Sequence, residues 1–321
     1  MSNKRLLTAE VPQDCAGRRV DQVLADLFSD YSRSRLKQWL TDGQVLVNGA
    51  PLRPKDKVWG GERIEVTVID APQQEDLPQE IPLNIVYEDE AIIVIDKPAG
   101  LVVHPGSGNP DRTLLNALLH HAPELINVPR AGIVHRIDKE TSGLLVVART
   151  LEAQTALVEQ LQERAFERIY DAVVVGVMTA GGTIDAPIGR HPIDRKRMAV
   201  TERGKPAVTH YRVAERFRGH THIKVRLETG RTHQIRVHMA YRHYPLVGDP
   251  VYGGRMKLPA GASEELRQTL RNFRRQALHA RELGLAHPGS GEIMHWESPL
   301  PEDMQTLLAV LRQDAAEMER P

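Results

Sequence analysis

Residues 131–148 (AGIVHRIDKETSGLLVVA) place a short polar segment between two apolar runs, and this feature constrains the local fold more than any other in the chain. The apolar runs are residues 131–134 and 144–148. Such a pattern predicts a strand, a tight loop and a second strand. Asp138 would then lie on a loop held at both ends by buried backbone, which is a good way to fix the position of one carboxylate.

Three further segments combine basic or aromatic residues with apolar stretches. They are residues 97–105 (KPAGLVVHP), 168–172 (RIYDA) and 229–238 (TGRTHQIRVH). In order and approximate spacing, the four segments resemble the motifs of the RluA superfamily of pseudouridine synthases. The resemblance covers the chain from about residue 18 onward. It implies a cofactor-free isomerisation of uridine in RNA.

The resemblance also implies roles for three side chains. Asp138 matches the family's catalytic nucleophile, Arg236 matches the arginine that holds this aspartate ionised, and Tyr170 matches the residue that stacks on the uracil. Whether the carboxylate attacks ribose C1′ or removes a ribose proton stays open. Glu140 is an alternative second carboxylate in a glycosidase-like scheme, although no family role supports it.

Other residues near these motifs are expected to contact the substrate. Arg136 would touch a phosphate or fill the gap left by a flipped base, and Leu246 would form the apolar floor of the uracil pocket. The remaining candidates are Lys97 and Arg231 for phosphate and His233 for RNA. His233, His238 and His243 lie five residues apart, which fits neither one helical face nor a zinc-binding motif, so we expect no metal.

The first part of the chain predicts a separate small domain. Residues 18–70 contain two amphipathic helices, an Asn-Gly hairpin signal and a closing strand, and they resemble the S4-type RNA-binding domain. Its second helix carries Arg33, Arg35 and Lys37 as candidate RNA contacts, capped by Ser32 or Ser34. An ordinary amphipathic helix with basic side chains on its surface would show the same pattern.

The rest of the chain predicts a larger domain. Residues 1–17 are expected to be a tail and residues 71–80, which are polar and contain two prolines, a linker. Residues 81–321 alternate short apolar runs with helices near 113–121, 151–164, 264–277 and 301–321. The fold class is therefore α+β, with a catalytic domain on a largely antiparallel mixed sheet.

Composition adds limits to these expectations. The 321 residues include one cysteine and no apolar run of the ~20 residues that a membrane span needs, so we expect a cytoplasmic protein with no membrane contact. Forty-two basic residues balance 42 acidic ones. Basic charge is instead local, because residues 190–218 carry nine Lys or Arg against three Asp or Glu. This stripe could follow a phosphate backbone or be an ordinary solvated hairpin.

The leading hypothesis is a monomeric RNA pseudouridine synthase that needs no cofactor. The resemblance implies large-subunit (23S) ribosomal RNA, or its assembly particle, as the partner, with uridines in the helix 69 stem-loop as targets. Unpaired loop bases cost least to extrude. Two alternatives stay open: a non-catalytic ribosome-assembly factor that binds RNA, and a synthase of the same family that acts on tRNA.

Overall fold

The computed structural model describes residues 4–28, 31, 33–69, 77–106, 108–194 and 197–318. The chain forms two compact units, residues 1–75 and 76–321. Part of the predicted tail at residues 1–17 is ordered structure instead: residues 4–10 are a strand whose seven residues pair with the strand at 63–69. The sequence did not predict this strand, because the alternation of Leu7 and Ala9 with polar residues is short and gives only a weak strand signal.

The amino-terminal unit is a four-stranded sheet with two helices, in the strand order β1-β4-β2-β3. Its elements are β1 (Lys4–Glu10), α1 (Val20–Leu27), α2 (Arg33–Thr41), β2 (Val45–Val47), β3 (Ala50–Pro51) and β4 (Arg63–Ile69). Asn48 and Gly49 have positive φ values of 50° and 78° and form the hairpin turn that the Asn-Gly pair predicts. Ser32 lies outside the described residues, as does the side chain of Ser34.

The helix α2 buries its apolar side against this sheet and leaves its basic side exposed. Leu36, Trp39 and Leu40 are buried in the core of the unit. The side chains of Arg33, Arg35 and Lys37 are exposed. The guanidinium of Arg35 lies over the ring of Trp39 at 5.2 Å.

The second unit is built on a nine-stranded sheet in the order β5-β6-β7-β14-β8-β13-β12-β9, with β15 beside β14. The nine strands of this sheet are β5 (Ile85–Glu88), β6 (Ile92–Lys97), β7 (Ser142–Ala148), β8 (Glu167–Val175), β9 (Gly182–Asp185), β12 (Val208–Arg216), β13 (His220–Leu227), β14 (Leu278–Ala286) and β15 (Ile293–Glu297). Two further strands, β10 (Ile188–Arg190) and β11 (Met198–Val200), form a separate two-stranded sheet. The helices of this unit are α3 (Leu114–His121), α4 (Leu151–Gln162), α5 (Gln234–Tyr241), α6 (Glu264–Asn272) and α7 (Glu302–Met318).

The predicted fold class is confirmed. Of the described pairings in the large sheet, β7 with β14 is parallel and the others are antiparallel. This parallel contact is two residues long and joins the two halves of the sheet. It sets β7, which follows the Asp138 loop, close to the strand β8 that carries Tyr170.

Two predicted elements differ from the structure. Residues 131–134 are not a strand: Pro129–Gly132 form a tight turn in which Arg130 and Ala131 have positive φ values of 56° and 49°, and Ile133 forms an isolated bridge to Val147. The predicted helix at 264–277 ends at Asn272, because Phe273 leaves helical geometry and packs into the core. The apolar run at 131–134 has the composition of a strand. Phe273 and Ala277 continue the helical spacing of Leu266 and Leu270, so the sequence pattern reveals neither difference.

No helix in the described part of the chain has the length and apolar character that a membrane span requires.

Candidate active site

The loop that carries Asp138 is fixed by hydrogen bonds before and after it. The backbone N–H of Val146 donates to His135 Nε2 at 3.0 Å. Burial lowers the pKa of His135 to about 3, so this imidazole is neutral and Nε2 accepts. Beyond the aspartate, the Thr141 N–H donates to the Asp138 carbonyl at 3.0 Å and closes a tight turn.

A second support reaches the loop from the carboxy-terminal part of the chain. Arg275 Nη1 donates to the carbonyl of Glu140 at 3.2 Å, and Gln276 Nε2 donates to Thr141 Oγ1 at 3.1 Å. Arg275 is itself held by two bonds to the Asp303 carboxylate, at 2.5 and 2.8 Å. Because Asp303 belongs to α7, the last helix helps to hold the Asp138 loop.

Lys97 is a third support, and the prediction that it binds phosphate is wrong. The side chain is fully buried, and its Nζ donates to the carbonyls of Pro98, Leu101 and Lys139 at 2.7, 2.9 and 3.1 Å. Burial lowers the pKa of Lys97 to about 7. Lys97 therefore joins the turn after β6 to the Asp138 loop and has no path to an RNA phosphate.

Arg236 lies between two carboxylates. Its Nη1 donates to Asp138 Oδ2 at 3.1 Å, while Nε and Nη2 form a two-pronged pair with Asp249 at 2.7 and 2.9 Å. Asp249 Oδ1 also accepts the N–H groups of Val251 and Tyr252. Burial alone would lower the pKa of Arg236, but the two carboxylates outweigh it and raise the pKa above its ordinary value.

Burial and ion pairing also have opposite effects on the pKa of Asp249. Its side chain is fully buried, which favours the neutral acid, but the bonds from Arg236 hold the pKa of Asp249 below its ordinary range. The pair is thus a fixed ionic clamp. The pair fixes the plane of the Arg236 guanidinium and leaves Nη1 to donate to Asp138, whose own side chain is 17% exposed.

His233 closes the other side of the site. It adopts a left-handed φ of 56° directly before α5, and its Nε2 lies 4.0 Å from Asp138 Oδ1. Its Nδ1 is 2.9 Å from the Tyr252 hydroxyl, and the Tyr252 ring packs under Arg236 at 5.1 Å. Burial lowers the pKa of His233, although the nearby Asp138 opposes this.

Asp138 and Tyr170 line one small cavity of about 80 Å³. Tyr170 is 6% exposed, and burial raises the pKa of its hydroxyl. Leu246 packs in the same apolar cluster as Tyr170 but is not among the residues that line this cavity. Four other residues supply the apolar wall: Ile137, Leu227, Ile235 and Leu278.

A wide basic groove of about 1100 Å³ opens beside this cavity. Five arginines line it, with Glu228 as the acidic member: Arg130, Arg136, Arg164, Arg168 and Arg231. Three of them, Arg136, Arg168 and Arg231, also line the cavity, so the two spaces are adjacent. A polyanion lying in the groove would have a direct route to Asp138.

The basic stripe at residues 190–218 does not form this groove. Arg216 donates to the carbonyls of Met178 and Thr179, and Arg218 pairs with Asp314 at 3.0 Å. Residues 195 and 196 lie outside the described part. The groove instead takes its arginines from segments that are far apart in the sequence.

Among the described residues, no group of three or more His, Cys, Asp and Glu side chains has the geometry of a metal site. His238 is buried in α5 and bonds to Thr209 and to the Ala186 carbonyl.

Comparison with known proteins agrees with this geometry. A family model described as RNA pseudouridylate synthase matches residues 91–241, and a model of the S4 domain matches residues 18–64. A protein of Pseudomonas aeruginosa named ribosomal large subunit pseudouridine synthase D is 62% identical, over 98% of both chains. The protein of that name from Escherichia coli K12 is 59% identical over 99% of this chain and 98% of its own.

The chain belongs to the RNA pseudouridylate synthase family. Two solved structures share the fold. Human RNA pseudouridylate synthase domain containing 4 has a TM-score of 0.56 and 27% identity, over 71% of this chain and 93% of its own. Human RNA pseudouridylate synthase domain containing 1 has a TM-score of 0.53 over 73% and 96%, and at 24% identity it supports the fold alone.

Sequence reasoning missed two residues of this pseudouridine synthase. Asp249 was not singled out, although a carboxylate directly after an apolar run and before a proline is a plausible turn cap. Arg168 begins the motif that contains Tyr170, yet only the tyrosine was given a role. Arg168 is 7% exposed at the junction of cavity and groove, with Nη2 3.3 Å from the Glu228 carbonyl.

Proposed function

We propose that this enzyme isomerises uridines to pseudouridine in large-subunit (23S) ribosomal RNA, within the helix 69 stem-loop. The relatives over nearly the full chain carry a large-subunit name, and the S4 domain supplies a second RNA-binding unit. The protein would act as a cytoplasmic monomer without cofactor or metal. The balanced charge of the chain fits a groove-limited contact with RNA rather than a wholly basic surface.

The reaction needs one activated carboxylate and one pocket for a base. The target uridine leaves its stack and enters the cavity beside Tyr170, whose ring packs against the uracil. Asp138 then acts as the nucleophile on the ribose. The N1–C1′ bond breaks as the carboxylate bonds to C1′, the uracil turns, and a C5–C1′ bond forms as the bond between C1′ and the carboxylate breaks. The C5 proton is lost while N1 gains one, so the product is an isomer.

The observation that carries this proposal is the Asp138–Arg236–Asp249 arrangement. Because Asp249 binds two donors of Arg236, the third donor is aimed at Asp138 Oδ2 without freedom to rotate away. A carboxylate held in this way is oriented for attack. Glu140 contributes its backbone carbonyl to the support of the loop, and the chemistry does not require its side chain.

The groove would hold the RNA backbone on either side of the flipped uridine. Arg136 and Arg231 lie at its junction with the cavity, where they can bind the phosphates that flank the target. His233 faces the same space as a neutral hydrogen-bonding group. Arg33, Arg35 and Lys37, exposed on α2, would bind a separate stretch of the same RNA.

The test is release of tritium from RNA labelled at uracil C5, since C5 gives up its hydrogen in the reaction. Purified enzyme is given a helix 69 stem-loop transcript and, in parallel, a tRNA transcript. Release from the stem-loop with little from tRNA supports the proposal. Release from tRNA alone would move the enzyme to the tRNA class, and tight binding without release would favour the assembly-factor hypothesis.

A further inference from the structure

Arg168 is a buried cation for which the described part of the chain supplies no anion. The residue is 7% exposed, and the hydrogen bond that it makes runs from Nη2 to the carbonyl of Glu228 at 3.3 Å. Among the described residues, neither Nε nor Nη1 has a hydrogen-bond partner. Burial lowers the pKa of Arg168, and no described carboxylate opposes this effect. Because a buried charge without a partner costs folding free energy, its presence indicates a role with a bound ligand.

The acidic residues that line the groove and the cavity are already bound by other cations. In the groove, the carboxylate of Glu228 pairs with Arg164 at 2.9 Å. In the cavity, Asp138 accepts from Arg236 at 3.1 Å. The charge of Arg168 is therefore left for the substrate.

The accessible end of Arg168 belongs to the cavity that contains Asp138. Its Nε is sealed inside the protein, whereas Nη1 is not and lies beside Gly230, where an added Cβ would be 3.1 Å from it. Arg168 precedes Tyr170 by two residues on β8, so both side chains lie on one face of the strand. Both also line the cavity. A base that enters beside Tyr170 can thus reach Nη1.

The recessed position of Arg168 favours a contact with the base over a contact with a phosphate. Three arginines of the groove are exposed, where a hydrated RNA backbone would pass: Arg130, Arg136 and Arg164. Arg168 lies deeper, at the junction with the cavity. The part of the substrate that enters the cavity is the flipped uracil, whose O2 and O4 accept hydrogen bonds.

We propose that Arg168 is a catalytic residue that binds a carbonyl oxygen of the flipped uracil and stabilises the negative charge formed there. As the Asp138 carboxylate bonds to C1′, both electrons of the N1–C1′ bond stay on the uracil and are shared among N1, O2 and O4. The charge returns to Asp138 when C5 bonds to C1′ and the carboxylate leaves. C5 then loses its proton and N1 gains one. A fixed donor acts where such charge develops. The inference rests on the proposed function of the Asp138 site.

The test replaces the guanidinium and measures rate, binding and stability together. Arg168→Met keeps an unbranched side chain without charge, and Arg168→Lys keeps the charge without the planar donors. The control is Arg218→Met, because Arg218 is partly buried, pairs with Asp314 at 3.0 Å and does not line the groove or the cavity. The readouts are kcat and KM on the stem-loop, the salt dependence of RNA binding and the midpoint of thermal unfolding.

For Arg168→Met we expect kcat to fall about 10²-fold with little change in KM, as for loss of one preorganised donor to a developing charge. Arg168→Lys should lose about tenfold, since an ammonium keeps the charge but not the donor geometry. The unfolding midpoint of Arg168→Met should be unchanged or higher, because an unpaired buried charge is removed. Arg218→Met should show the opposite pattern, with a lower midpoint and the kcat of the wild type.

Atomic substitution in the RNA tests the contact itself. The substrates are stem-loops in which sulfur, a weak hydrogen-bond acceptor, replaces O2 or O4 of the target uridine. At one of the two positions, the ratio of kcat with oxygen to kcat with sulfur should be larger for the wild type than for Arg168→Met. Equal ratios for the two proteins at both positions, or an unchanged kcat in Arg168→Met, would overturn the proposal.

Two other results would assign Arg168 a different role and also overturn the proposal. A phosphate contact would raise KM with kcat unchanged and lower the log–log slope of binding against salt by roughly 0.7 to 0.9. A structural role would lower the unfolding midpoint in Arg168→Met and Arg168→Lys alike. Failure of the proposed function would look different, since the wild type would then form no pseudouridine in the stem-loop.

Discussion

At the scale of single residues, the site depends on how one guanidinium is divided between two carboxylates. Asp249 is fully buried and takes two of the donors of Arg236, and Asp138 takes one. The buried pair costs desolvation free energy that its own attraction offsets only in a good geometry. We infer that this geometry serves to hold Asp138, the carboxylate that is partly open to solvent.

Replacing Arg236 with lysine is expected to lower kcat by about 10²- to 10³-fold, because an ammonium group cannot bridge both carboxylates in one plane. Arg242→Lys is the matched control, since Arg242 directly follows the same helix, α5, and is exposed. Single-turnover rates on the stem-loop measure the difference. Equal rates for the two variants would show that the Asp138–Arg236 contact is not needed.

The motifs predict that Asp138, Arg236 and Tyr170 share one site, and the structure brings the three side chains together, while their roles in the reaction stay predictions. The sequence did not identify Asp249, whose role depends on a fold that brings residues 236 and 249 together. Lys97 was misassigned for a similar reason. A lysine beside a Pro-Ala-Gly turn has the composition of a phosphate loop, and only the tertiary structure shows that backbone carbonyls surround it.

At the scale of elements, the glycine that ends the catalytic motif permits a close strand contact. Gly143 has a φ of 111°, and a Cβ atom there would lie 2.2 Å from the carbonyl oxygen of Ala280 on β14. The parallel pairing of β7 with β14 passes through this residue. A side chain at this position would push apart the strands that set the Asp138 loop beside Tyr170.

Gly143→Ala is therefore expected to destabilise the protein by about 2–4 kcal/mol, since backbone atoms cannot move aside cheaply and the φ value is unfavourable. Gly106→Ala serves as control, because its added Cβ meets no atom within 4 Å. Urea unfolding followed by circular dichroism gives both values. A change below about 0.5 kcal/mol in Gly143→Ala would mean that β7 and β14 are not held so closely.

The support that Lys97 gives to the turn after β6 should depend on pH. Its pKa is about 7 in the folded protein against an ordinary 10.5, so the unfolded chain holds one more proton between these values. Stability from this group therefore rises as pH increases through that window, with a slope of up to about 1.4 kcal/mol per pH unit. Lys97→Met lacks the group and should lack the slope.

The measurement is the free energy of unfolding of both proteins at pH 7, 8 and 9. Lys97→Met is less stable at every pH, because three backbone carbonyls lose their donor. The gap between the two proteins should widen as the pH rises. A constant gap would mean that Lys97 keeps its proton throughout.

Elements were predicted well where periodicity was strong and poorly where apolar residues lie in buried irregular backbone. Helices α3, α4 and α7 and strands β6, β7 and β13 follow their patterns closely. Residues 131–134 are apolar because they pack in the core, whereas in residues 273–277 only Phe273 and Ala277 are apolar core residues. The conformation of both segments is set by neighbours distant in sequence. The register of the large sheet, including its one described parallel contact, has no local signal at all.

In the whole molecule, each of the two units has its own core and its own set of candidate functional side chains. The amino-terminal unit carries the exposed basic side chains of α2, and the second unit carries the complete Asp138 site. We expect removal of residues 1–75 to leave kcat on a short stem-loop unchanged, while kcat/KM on large-subunit particles falls about tenfold through KM, the equivalent of ~1.4 kcal/mol of lost binding. Unchanged activity on the particles would show that the S4 domain adds nothing to placement.

We expect Asp138 to be the residue with which this enzyme converts uridine to pseudouridine in large-subunit ribosomal RNA. The most direct measurement is pseudouridine mapping of total RNA from a strain that lacks this gene, complemented with the wild type or with Asp138→Asn. The asparagine variant keeps the volume of the side chain but should lower turnover by at least about 10³-fold. We predict that signals in the helix 69 loop disappear without the gene and return with the wild type alone. Their return with Asp138→Asn would contradict the account.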